Sequence, residues 1–130
     1  MVTEFDSGAV NVTATETTIF DTETGPNAGR IRGAIETIFF DVFNTGANDL
    51  LNFKVYVKGS STGTYKELNT AWAAAGATLL YFSSNLAVLP ATSGVGCAAV
   101  RIYGAYAFKI TAKCDTAQTA IVRVHGVGKG

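Results

Sequence analysis

The 130-residue sequence contains few of the side chains on which catalytic and metal sites depend. It has one histidine, two cysteines and only 15% charged residues, and its ten basic and ten acidic side chains cancel. Because there is no net charge to attract a polyanion, binding to nucleic acid or to an anionic membrane is not expected. A single histidine without a CxxC pair predicts no zinc site, and the scattered acids form no calcium-binding loop.

Long apolar runs and targeting features are also missing. The longest apolar stretch, between Ala71 and Phe82, is interrupted by Gly76 and Thr78 and falls short of the ~20 residues that span a bilayer. The first residues include neither a basic n-region nor an apolar h-region, so we expect no secretory signal. Cys97 and Cys114 are compatible with one disulfide or with two reduced thiols, and both alternatives stay open.

What the sequence does contain is a series of short alternating segments, most clearly near the C-terminus. Phe108 and Ile110 share one parity and Lys109 lies on the other, as in a strand with one buried face. The polar stretch 115–118 interrupts the pattern, which resumes at Ala120 and continues to His125. Two alternating runs across a short polar connection predict an antiparallel hairpin.

The segment 30–44 is the most apolar strand candidate. One of its faces carries Ile38, Phe40 and Val42, and the other carries Phe39, Asp41 and Phe43. Apolar residues on both faces predict a strand covered from both sides, by the domain's own second sheet and by a terminal arm or a neighbouring subunit. Within this run Asp41 is either a buried carboxylate paired with Arg30, Arg32 or Arg101, or a carboxylate at a strand edge or subunit contact.

The chain as a whole predicts an all-β fold. We expect one domain over residues 1–130, with eight or nine short strands and at most one short helix, at 69–75. Strands without helices bury an apolar face only against another sheet, so the expected architecture is an antiparallel β-sandwich of the jelly-roll or immunoglobulin-like kind. Residues 1–12 are expected as an N-terminal arm and residues 127–130 as a flexible tail.

Candidate chemistry is sparse. His125 is the only histidine, it lies on the polar parity of the last strand, and no partner carboxylate is evident, so we predict no catalytic residue, no cofactor and no enzyme activity. The aromatic residues are either a sugar-stacking platform or anchors in the core and at interfaces. They include Tyr56, Tyr65, Trp72, Tyr81, Tyr103 and Tyr106. As interface candidates we single out Phe39, Phe43, Tyr56, Trp72 and Tyr103.

Four segments resemble small β-sandwich proteins of tailed-phage virions, of the head decoration or cement type. They are residues 43–46, 49–57, 103–112 and 119–126, and the likeness is one of strand and turn pattern rather than of a signature motif. The resemblance implies a non-enzymatic protein made in the host cytoplasm without a signal peptide and located at the capsid surface. It also implies contacts with the major capsid protein and with copies of itself, often as a trimer that bridges capsomers.

Two other classes remain open at this point. One is a carbohydrate-binding module, on a fibre or tail, which would show an aromatic row on one exposed face. The other is a small hydrolase, which would need a cleft with convergent polar groups.

Overall fold

The computed structural model describes residues 2–24, 35–67, 80–82, 88–89, 94–102 and 104–130, and this part of the chain is all-β, without a helix. These described residues form eleven strands. They are β1 (Val2–Asp6), β2 (Val10–Val12), β3 (Thr17–Asp21), β4 (Thr37–Asn44), β5 (Leu50–Lys58), β6 (Lys66–Glu67), β7 (Leu80–Phe82), β8 (Val88–Leu89), β9 (Gly94–Arg101), β10 (Ala107–Lys113) and β11 (Ala120–Lys129). The short helix expected at 69–75 lies outside the described residues.

The strands form two antiparallel sheets, which confirms the predicted β-sandwich. Sheet A has the order β1-β11-β4-β9-β7, with β2 also paired to β11, and sheet B has the order β3-β10-β5-β6, with β8 also paired to β5. Along the chain β3, β5, β8 and β10 lie in sheet B, whereas β4, β9 and β11 lie in sheet A. From β3 to β11 every step except β5 to β6 changes sheet, whereas several immunoglobulin connections stay within one sheet, so the strand order is that of a jelly roll.

The predicted hairpin between the last two strands is wrong. β10 pairs with β3 and β5 in sheet B, and β11 pairs with β1, β2 and β4 in sheet A. The connection at 114–119 therefore crosses between the layers, with Ala117 at a φ of 61° and a hydrogen bond from the Gln118 N–H to the Asp115 carbonyl. The alternating pattern predicted both strands, but alternation specifies which face is buried and not which strand lies alongside.

A cluster of four phenylalanines joins the two sheets. Phe5 and Phe40 come from sheet A, and Phe20 and Phe108 come from sheet B. The ring centroid of Phe5 lies 4.8 Å from that of Phe20 and 5.7 Å from that of Phe108, and all four side chains are almost fully buried. Aromatic pairs at these distances add to the free energy of area burial, so the cluster fixes how the layers face each other.

Both termini differ from the expectation. Residues 2–6 and 10–12, expected as an arm, pair with β11 in the same chain, and Phe5 and Val12 belong to the core. The tail expected at 127–130 is part of β11 as far as Lys129, which is opposite Val2 and Thr37. The pairing partners of an edge strand are distant in sequence, so local composition does not reveal them.

Cys114 is a free, buried thiol, and its sulfur donates to the Val12 carbonyl at 3.6 Å. Burial raises its pKa above the ordinary value, which makes the thiol unreactive. The disulfide alternative is therefore not realised. In the part of the chain that is described, no helix is long and apolar enough to cross a membrane.

Candidate interaction surface

The outward side of sheet A, called here the outer face of sheet A, is built by alternation along β1, β11, β4 and β9. On β4, Ile38, Phe40 and Val42 point into the core and are fully buried, so the residues between them point outward. Phe39 is 49% exposed as a result, and Phe43 is half-buried on the same side. Ile121 of β11 is 47% exposed on this face. Phe39 and Ile121 are the two most exposed large apolar side chains in the described part of the chain, and both lie on the outer face of sheet A.

Strand register arranges the outer face of sheet A in rows across the strands. In one row Glu4, Val127 and Phe39 are direct neighbours. In the next row His125 lies between Asp6 and Asp41. Directly opposed side chains have Cβ atoms ~5 Å apart, so each row is a continuous strip. A row with Val127 and Phe39 at its centre and Glu4 at one end therefore runs beside a row with an imidazole between two carboxylates.

Arg123 holds Asp6 on this face. The Arg123 Nε–H donates to Asp6 Oδ1 at 2.9 Å, and the second guanidinium nitrogen contacts Oδ2 in a forked arrangement. The hydrogen bond from Arg123, helped by the backbone N–H of Gly8, lowers the pKa of Asp6 to about 2. Asp6 is consequently a fixed negative charge whose position is determined, unlike an ordinary surface carboxylate.

A shallow depression of about 200 Å³ lies beside the Phe39 ring. It is lined by Glu4, Phe39, Asp41, His125, Gly126 and Val127. Its walls combine apolar carbon with two carboxylates and one imidazole. A depression of this size and composition suits a protruding side chain better than a substrate, since ligand pockets are usually deeper and larger.

The outer side of sheet B, called here the outer face of sheet B, is polar and internally bonded. The Lys109 ammonium lies 4.9 Å from the Tyr56 ring centroid and 4.8 Å from that of Tyr65. Tyr56 donates its hydroxyl to Glu16 at 2.6 Å, and Tyr65 donates to Asp21 at 2.7 Å. These rings and hydroxyls already have partners within the chain, so the face is a bonded network rather than a row of free aromatic platforms.

The titration of the tyrosines reflects this network. Burial, followed by the hydrogen bond to Glu16, raises the pKa of Tyr56 to about 12. Burial and the Asp21 carboxylate raise the pKa of Tyr65 still further. The Tyr56 hydroxyl, with that of Thr111, lowers the pKa of Glu16. Both phenols are therefore protonated near neutral pH and donate to the two carboxylates.

A second depression, of about 370 Å³, opens on the outer face of sheet B. It is lined by Ala14, Glu16, Lys54 and Lys113. The Glu16 carboxylate is fixed by Tyr56 and Thr111, whereas Lys54 has only a long contact of 3.8 Å with Glu67. One oriented carboxylate beside two ammonium groups can bind a small polar ligand.

The predicted site residues fall in three places. Phe39 and Phe43 share the outer face of sheet A, Tyr56 lies on the outer face of sheet B, and Trp72 and Tyr103 lie outside the described residues. Of the two alternatives for Asp41, the buried carboxylate is wrong, because Asp41 is exposed; it lies on a central strand rather than at a strand edge, and a subunit contact stays a prediction. Sequence reasoning missed Val127, although reading the alternation of β11 beyond Gly126 would have found it.

In comparisons with known proteins, the chain matches no protein-family model, no curated protein and no solved structure. Among the described residues, no group of three or more His, Cys, Asp and Glu side chains is placed to hold a metal ion.

Proposed function

We propose that this chain is a non-enzymatic structural protein of a phage virion, of the head decoration or cement type. The observation that carries the proposal is the outer face of sheet A, where the half-exposed Phe39 ring lies beside Val127 and a depression of about 200 Å³. An exposed aromatic ring beside a shallow depression is typical of the anchors that hold protein interfaces together. The phage setting comes from the resemblance in strand and turn pattern, and the jelly-roll order is an architecture that viral capsid domains use.

The mechanism is association by burial of surface. The chain carries no net charge, so long-range attraction contributes little, and each contact depends on apolar area and on local hydrogen bonds. On a shell that presents many equivalent sites, copies that contact each other and the major capsid protein gain affinity through high effective concentration. Individually weak contacts would then bridge capsomers, as a trimer or another homo-oligomer.

The test uses shells purified from the phage whose genome encodes the chain, prepared without this protein. Co-sedimentation with purified protein should show saturable binding, and the shells should then withstand higher temperature before they open. The Phe39→Ser variant should bind more weakly. If the shells neither bind the protein nor gain thermal resistance, the proposal is wrong.

One observation favours a second candidate, a carbohydrate-binding module on a fibre or tail. The depression on the outer face of sheet B is lined by Glu16, Lys54 and Lys113, and hydroxyl-rich ligands are bound by such convergent polar groups. A glycan array probed with the purified protein would show specific binding that Glu16→Gln abolishes. If the array shows no binding, the carbohydrate-binding function is wrong and only the structural role remains.

A further inference from the structure

We propose that the outer face of sheet A binds the same face of a second copy of this chain, with β11 of each copy lying over β4 of the other. This inference rests on the proposed function and names the partner of that surface. It follows from the order of side chains on the face, because only some symmetric arrangements bring compatible groups together.

Symmetry limits the choices. In an isologous pair both copies use the same surface, so every contact from a residue of one copy is repeated by the same residue of the other. For two faces to oppose each other, the twofold axis must lie in the plane between them. It then runs either across the strands or along them, because aligned sheet packing keeps strand directions within about 30°.

Charge selects between these directions. An axis across the strands through the row that contains His125 would place Asp6 over Asp6 and Asp41 over Asp41, which brings like charges together. An axis along the strands, between β11 and β4, exchanges those two strands. Asp41 of each copy then faces the partner's His125. The pair therefore contains two contacts in which a carboxylate acceptor lies opposite an imidazole N–H donor.

Shape agrees with the same axis. Because Val127 and Phe39 are register partners, exchanging β11 and β4 places the Phe39 ring of each copy above Val127 of the other. Val127 and Gly126 line the depression of about 200 Å³ beside Phe39. The half-exposed ring of one copy therefore enters the depression of the other, and this happens twice in the pair.

The available area indicates how strong the pair is. Four strands spaced ~4.8 Å apart and about eight residues long, at ~3.3 Å per residue, give a face of roughly 500 Å². Two such faces bury about 1,000 Å², near the lower limit of specific interfaces. We therefore expect a reversible pair of modest affinity, which the crowding of copies on a particle would drive together.

Sedimentation velocity of the full chain over a range of concentrations tests the pairing. The wild type should shift from monomer to dimer, and Phe39→Ser should weaken dimerisation roughly tenfold or more, as expected for a central anchor. Ile121→Ser is the matched control, because Ile121 is equally exposed on the same face but six residues, or about 20 Å, from Val127 along β11. It should change the dissociation constant less than about threefold, since peripheral contacts carry little of the binding energy.

A charge variant tests the chosen axis. His125→Glu places a new carboxylate opposite each partner's Asp41 and should abolish the dimer, whereas Thr62→Glu adds the same charge in an exposed turn and should leave it intact. Thermal melting of each variant establishes that it is folded. A monomer at every concentration, a trimer, or an equal effect of Ile121→Ser and Phe39→Ser would overturn the pairing.

The pairing and the proposed function can fail separately. Shell binding without dimerisation would overturn the pairing alone. Dimerisation without shell binding would support the pairing and count against the role on the capsid.

Discussion

The forked contact between Arg123 and Asp6 makes a pH-dependent contribution to stability. Since folding lowers the pKa of Asp6 from 3.8 to about 2, the ionised carboxylate stabilises the fold above pH ~4, and this stabilisation disappears as the pH falls through about 2. The pair is solvent-exposed, so screening by water and salt keeps its contribution to stability small.

Urea unfolding of the Asp6→Asn variant measures this contribution. The variant should be less stable than the wild type at pH 7, and the difference should vanish near pH 2. Glu4→Gln is the control, because Glu4 lies on the same strand and face without an ion pair among the described residues, and it should show little difference at either pH. A difference for Asp6→Asn that persists unchanged at pH 2 would contradict the assignment.

Single residues also show how far sequence reasoning reaches. Alternation placed Phe39 on the face opposite Ile38 and Phe40, and in the structure that face is the outer one, with Phe39 49% exposed. For Asp41 the sequence left burial and an edge or contact position open, because apolar residues surround it on both sides. In a strand only the residues two positions away share a face, so immediate neighbours say little about exposure.

At the scale of elements, β11 is the most informative strand. It pairs with β4 along eight residues and with β1 and β2 on its other side, so it is central in sheet A. Its alternation was predicted, but its neighbours were not, since those depend on contacts between residues as far apart in the chain as Val2 and Lys129. The same reason explains why the termini were predicted as an arm and a tail.

The close approach of β11 to β4 depends on Gly126. A Cβ added at Gly126 would lie 2.5 Å from the Phe40 Cβ and 2.7 Å from the Phe40 Cα, and closer still to the Phe39 carbonyl oxygen. Backbone atoms cannot yield as a flexible side chain does, so Gly126→Ala should lower the free energy of unfolding by at least about 2 kcal/mol. Chemical denaturation measures the change.

Gly59→Ala is the matched control for this substitution. No atom lies within 4 Å of the Cβ position at Gly59, and its φ is not positive, so the change in stability should stay within about 0.5 kcal/mol. If the two alanine variants unfold at the same denaturant concentration, the strands are not as closely packed at Gly126 as the structure indicates.

At the scale of the whole molecule, the sandwich was predictable and its topology was not. Short alternating segments without helices leave a second sheet as the only cover for the apolar faces, and the phenylalanine cluster between the layers agrees with that reasoning. The sequence also indicated that β4 has more apolar surface than one core can bury. What it could not indicate was that Val127 lies beside Phe39, because that follows from register between distant strands.

A cryo-electron microscopy reconstruction of the particle produced by the genome that encodes this chain tests the central claim most directly. The claim is that the outer face of sheet A is an association surface. The reconstruction should show the chain on the outside of the shell, with Phe39 buried against another protein chain. A particle that lacks the chain, or one in which Phe39 and Val127 face solvent, would contradict the account.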